Sequence, residues 1–140
     1  MSGRLRSCRS LGAALGGLLL ALAGCSSNKL TIEVSSTPET NEGRPFYAVV
    51  RQVEQATYVT DGYDIIAAKV FKNPPDPSVL RSEVIYPGRT LELVVQKPET
   101  VPIAVYFLFS HPGERWKMSR VQPLPSSLSI ELDKNQIKGE

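Results

Sequence analysis

Leu30, Ile32 and Val34 are apolar, and Thr31 and Glu33 between them are polar. That alternation is the period-2 signature of a strand with one buried face. Ser35 to Pro45 breaks the pattern, with two prolines, a glycine and no large apolar side chain, and reads as a loop. Phe46 to Val53 is apolar on both faces apart from Arg51 and Gln52, which predicts a more deeply buried strand. Between Asp61 and Phe71 the period changes. Tyr63, Ile66, Ala67 and Val70 follow the i, i+3, i+4, i+7 spacing of a helix about three turns long. Thr60 or Asp61 is placed to cap it, and the prolines at 74, 75 and 77 end it.

Strand signals then recur at close spacing. Val79 to Tyr86 is followed by the tight turn Pro87-Gly88, and Leu91, Leu93 and Val95 alternate after it. Val101 to Phe109 is apolar on both faces, with Pro102 near its start where a missing donor is tolerated. Trp116 and Met118 mark a further strand, and Leu128, Ile130 and Leu132 the last. About seven or eight short strands separated by turns predict an all-β sandwich with a short helical insert between strands 2 and 3.

The first 24 residues follow a different logic. Arg4, Arg6 and Arg9 precede an unbroken run of Leu, Ala and Gly from Leu11 to Ala23. Thirteen residues are too few to cross a bilayer core, which takes about 20, but a charged segment followed by a short apolar one is the layout of a secretory signal. Leu22-Ala23-Gly24-Cys25 resembles a bacterial lipobox. That resemblance implies cleavage before Cys25, acylation of Cys25, and a mature chain of 116 residues. Residues 25–29 then form an acylated N-terminus and short tether, and 30–140 the sandwich domain. Ser26 at the position after the cysteine favours the outer membrane of a Gram-negative cell.

This processing changes the charge. The chain has 16 basic and 14 acidic residues. Removing the three signal arginines leaves 13 against 14, so the basic isoelectric point belongs largely to the signal. No clustered basic face points to nucleic acid. Cys8 leaves with the signal and Cys25 carries lipid, so no disulfide is expected. The lone histidine, His111, sits in a Ser-His-Pro-Gly turn and offers no metal-ligand set. No nucleophile elbow or phosphate-cradling glycine loop is present. Asp61 and Asp64 read as a helix cap and a favourable first-turn charge rather than as a catalytic pair. Trp116 reads as core more readily than as a sugar platform. The eleven-residue loop Ser35–Pro45 is longer than most connections between neighbouring strands, and long loops on rigid scaffolds often carry function.

Several of these residues fall in one order. Asn41 and Gly43-Arg44-Pro45 in the first loop, Val49-Val50-Arg51 in the second strand, Tyr58 and Tyr63 around the insert, the Pro87-Gly88 turn, Val101 to Phe107, and Trp116 follow the lipobox. In this the chain resembles the TssJ (SciN-type) lipoproteins of bacterial type VI secretion systems. The resemblance implies a transthyretin-like β-sandwich on the periplasmic face of the outer membrane, without enzymatic activity or cofactor. It also implies binding to the periplasmic C-terminal region of the inner-membrane protein TssM, and through it association with TssL. The implied partner-binding loop comprises Ser35, Ser36, Thr37, Pro38, Glu39, Thr40, Asn41, Glu42, Gly43, Arg44 and Pro45, with Thr40, Asn41, Glu42 and Arg44 as contact candidates. The competing readings are a pilot lipoprotein of another envelope machine, a ligand-binding lipoprotein using Trp116, and an enzyme like the transthyretin-fold hydrolases of purine degradation. The last requires several histidines and a C-terminal Tyr-Arg-Gly-Ser, whereas this chain has one histidine and ends Ile-Lys-Gly-Glu.

Overall fold

The computed structural model describes residues 27–139. The signal segment and Cys25 lie outside them. Seven strands form two sheets. One has the order β4-β1-β7, built from β1 (Lys29–Ser35), β4 (Thr90–Gln96) and β7 (Ser127–Glu131). The other has the order β3-β2-β5-β6, built from β2 (Phe46–Gln52), β3 (Val79–Ile85), β5 (Ile103–Leu108) and β6 (Lys117–Arg120). All pairings are antiparallel except β1 with β7, which run parallel.

The alternation read from the sequence decides what the sheets enclose. Leu30, Ile32 and Val34 of β1 face Phe46, Ala48 and Val50 of β2 and Ile103, Val105 and Phe107 of β5 across the sandwich. The opposite face of the four-stranded sheet is apolar too, because it is also covered. Val49, Ala104, Tyr106 and Leu108 pack there against Ile66 and Val70 of the insert. That second layer explains why β5 is buried along its whole length.

The insert departs from the single helix expected over 61–71. It is a pair, α1 (Gln55–Thr60) and α2 (Tyr63–Phe71). Neither Thr60 nor Asp61 caps α2; Gly62 occupies that position without a side-chain bond. Thr60 instead bonds back to the carbonyls of Ala56 and Thr57 within α1, and Asp61 is drawn inward. Asp64 lies in the first turn of α2, as expected.

The topology also separates two ends. β1 begins at Lys29, where Lys97 N–H donates to the Asn28 carbonyl. Seven residues later, roughly 20 Å away at about 3.3 Å per residue, β1 gives way to the loop that precedes β2.

Candidate functional site

The distal end is built from four connections: 36–45, the β3–β4 turn, the segment after β5, and the segment after β7. Asn41 ties three of them together. Its Nδ2 donates to the carbonyls of Arg44 at 2.9 Å and Pro45 at 3.4 Å. Its Oδ1 accepts from the Ser110 N–H at 2.7 Å, and its own N–H donates to the Lys134 carbonyl at 2.6 Å. The Asn41 side chain thus closes the loop on itself and clamps it to the segment after β5, while its backbone N–H clamps it to the segment after β7. Thr40 works beside it, its hydroxyl accepting from the Thr37 N–H at 3.0 Å. The Ser36 hydroxyl donates to the Arg89 carbonyl, and Pro38 packs on Gly88 of the β3–β4 turn.

The backbone here is unusual. Asn41, Glu42 and Gly43 adopt φ of 52°, 56° and 74° in succession, inside a short 3-10 turn over Thr40–Gly43. Left-handed conformation costs an L-residue roughly 1–2 kcal/mol, and such strain persists only where surrounding contacts over-determine it, commonly at binding sites. The Asn41 bonds supply that constraint. Gly43→Ala, which adds a Cβ at φ 74°, is expected to destabilise the domain by roughly 1–2 kcal/mol, measured by urea unfolding.

The expected loop residues therefore divide into two sets. Thr40 and Asn41 are 0% and 3% exposed and act as the loop's internal frame. Ser35 ends β1, and Ser35 and Ser36 are half-buried. Thr37, Pro38, Glu39, Glu42, Gly43, Arg44 and Pro45 form the outward surface. Arg44 pairs with Glu42, whose other carboxylate oxygen lies 3.5 Å from His111 Nδ1. His111 is an exposed turn residue, as read from its neighbours.

Below this tip a buried polar network holds the insert to the sheet. Arg51 Nη1 donates to Asp61 Oδ2 at 2.7 Å, and the Tyr106 hydroxyl donates to the same oxygen at 2.8 Å. Arg51 Nε donates to Ser78, whose hydroxyl donates to Asp76. Ser78 and Lys69 hold the Asp76 carboxyl well below its ordinary value. Lys117 Nζ donates to the carbonyls of Tyr58 and Asp61 at 2.7 and 2.8 Å. Trp116 is packed between Tyr63 and Tyr106, with ring centres 5.3 and 5.7 Å apart, which gives it a place in the core layer. Arg51 and Asp61 are ten residues apart, and the passage from β2 through α1 to the break before α2 returns the carboxylate to the strand.

Burial and the Asp61 carboxylate push the Tyr106 hydroxyl above its ordinary pKa of 10.0, and burial shifts Tyr58 and Tyr63 the same way. The stability linked to a raised pKa is fully present below the unfolded-state value and is lost as pH rises past it. The urea midpoint should thus fall as pH rises above 10, and fall less steeply in Tyr106→Phe than in the parent chain.

The chain is thus a two-sheet sandwich with a helical layer on one face and a strained, clamped loop at one end. Solved structures share the fold. The chain is 17% identical to Lip, a membrane-bound component of the type VI secretion system of Serratia marcescens, with a TM-score of 0.62 over 79% of this chain and 95% of that one. It is 12% identical to the type VI lipoprotein TssJ1 of Pseudomonas aeruginosa, with a TM-score of 0.60 over 79% and 92%. A chain in the structure described as the TssM C-terminal domain from EAEC matches at 12% identity, with a TM-score of 0.57 over 78% and 98%. No curated protein matches the sequence. Residues 47–132 match the family model described as IglE, N-terminal domain, and the chain belongs to that family.

Proposed function

We propose that this chain is a structural, non-enzymatic lipoprotein of a type VI secretion membrane complex. Acylated Cys25 anchors it to the periplasmic face of the outer membrane. Its distal loop binds the periplasmic C-terminal domain of TssM, which links it to TssL. One observation carries this reading. The loop is held in a strained, fixed shape at the C-terminal end of β1, while the proposed lipid would attach ahead of the strand's N-terminal end at Lys29. Fixing a loop in its binding shape lowers the entropic cost of association. An anchor at one end of a strand and a rigid contact surface at the other suit a tie between a membrane and a complex. The type VI relatives share the fold that sets this geometry.

The test is a pull-down of the periplasmic region of the cognate TssM by the mature protein. Exposed side chains are replaced in Pro38→Ala, Glu42→Ala and Arg44→Ala together, which leaves Thr40 and Asn41 in place. Binding by the parent and at least tenfold weaker binding by the variant, with unchanged urea midpoints, is the expected result. Equal binding by both would move the contact away from the loop. No binding by the parent would refute the partner.

A further inference from the structure

The two sheets leave one flank open. β6 ends one sheet and β7 ends the other, and each pairs on one side only. Between them lies a cleft of about 530 Å³, within the ~300–1,000 Å³ range of ligand-binding clefts. Alternation in an antiparallel pair decides which groups face it. Phe107 N–H donates to the Trp116 carbonyl, so Trp116, Met118 and Arg120 bond toward β5. The main-chain groups of Lys117 and Ser119 point outward from this edge; Lys117 lines the cleft, and the Ser119 carbonyl accepts from Arg120 Nη1 at 3.0 Å.

The chain itself shows what fits there. At the distal end of the cleft, Ile137 N–H donates to the Arg115 carbonyl at 2.7 Å, just before β6. The next residue, Lys138, donates to the Glu131 carbonyl of β7 at 2.8 Å. One extended segment thus bridges both free edges with successive amides. The remaining length, past Met118 and Ser129 toward Arg120, has the same two edges and no such segment among the described residues.

The walls select by charge. Among the described residues, Arg115, Arg120 and Lys138 line the cleft against one carboxylate, Glu131, which is already paired with Lys138 at 3.1 Å. Met118, Ile130 and Ile137 supply apolar surface. We propose that the cleft takes an extended acidic peptide segment of a partner protein, added as a strand to the free edge of β6, with its apolar side chains on Met118 and Ile130. Main-chain bonds to the edge would give affinity, as in strand addition generally, and the arginines would give preference for acidic sequence. This site is separate from the distal loop and does not depend on the TssM reading.

The test uses the mature acylated protein in phosphatidylcholine nanodiscs and two labelled octapeptides, one alternating Glu with Val and one alternating Lys with Val. By fluorescence anisotropy, the acidic peptide should bind at least tenfold more tightly than the basic one, and Arg120→Glu should weaken it at least tenfold. On the unmodified protein, hydrogen exchange should slow at the outward amides of Lys117 and Ser119 when the acidic peptide is added. The proposal is overturned if neither peptide binds, if both bind equally, or if those amides stay unprotected. Protection induced by phosphatidylglycerol in the disc without peptide would assign the cleft to the membrane surface instead.

Discussion

Asp61→Ala is expected to destabilise the domain by about 3–5 kcal/mol, the usual loss when one partner of a buried ion pair is removed. The Arg51 and Asp61 side chains are 3% and 4% exposed, so water cannot solvate the guanidinium left behind. The Tyr106 hydroxyl loses its acceptor in the same step, and an orphaned buried donor adds about 1–3 kcal/mol. Urea unfolding measures the change directly, since the free energy falls linearly with denaturant. A control separates the charge from the packing. Arg51→Met, Asp61→Leu and Tyr106→Phe combined should recover most of the loss, because buried ion pairs replaced by apolar groups of similar volume are often neutral or better. Arg51→Ala alone should resemble Asp61→Ala. A loss below about 1 kcal/mol in both single variants, the size of an exposed pair, would show that water reaches the pair. The consequence reaches beyond stability. Asp61 sits at the junction of α1 and α2, so its loss should speed hydrogen exchange through both helices before it does so in β5.

What was legible in the sequence, and what was not, follows from the range of the interactions involved. The strands were legible because each carries its own alternation. Leu30, Ile32 and Val34 declare a buried face without reference to any partner. The Pro87-Gly88 turn was legible for the same local reason, Gly88 adopting φ 80°. Asp61 was misread as a helix cap because its true partners, Arg51 and Tyr106, lie 10 and 45 residues away. A carboxylate before a helical repeat has the same local appearance whether it caps or is buried. The apolar character of both faces of β2 and β5 was the available signal that a second layer covered the sheet, and it pointed to the insert without giving its break at Gly62. In the loop, length and composition marked the segment, but Thr40 and Asn41 read like any exposed polar residues. Asn41 is bonded to Ser110 and Lys134, which only the sandwich brings to the same end. The open flank was invisible for the same reason. Which strands stand at sheet edges is set by pairing order, and the parallel match of β1 with β7 has no signature in either strand alone.

Cys25→Ser should move the protein from the membrane fraction to the soluble fraction and stop secretion, while leaving the domain folded. Each buried methylene of an acyl chain contributes about 0.8 kcal/mol, so one chain holds only reversibly and two or more hold firmly. A serine accepts no thioether-linked lipid, and no helix among the described residues is long and apolar enough to cross a bilayer in its place. Stability should be unchanged within about 0.5 kcal/mol, the usual range for a substitution away from core or network, since β1 begins only at Lys29. Fractionation of cells and a urea curve on the released protein measure the two halves of this expectation. An intact domain in the soluble fraction with normal secretion would remove the anchoring role. Rescue by an unrelated lipid-attachment sequence placed ahead of residue 26 would show that the bilayer attachment matters rather than the cysteine itself. The same rescue with Glu42→Ala and Arg44→Ala present should restore membrane retention but not secretion, because in the proposed role retention rests on the lipid alone and assembly on the distal loop as well.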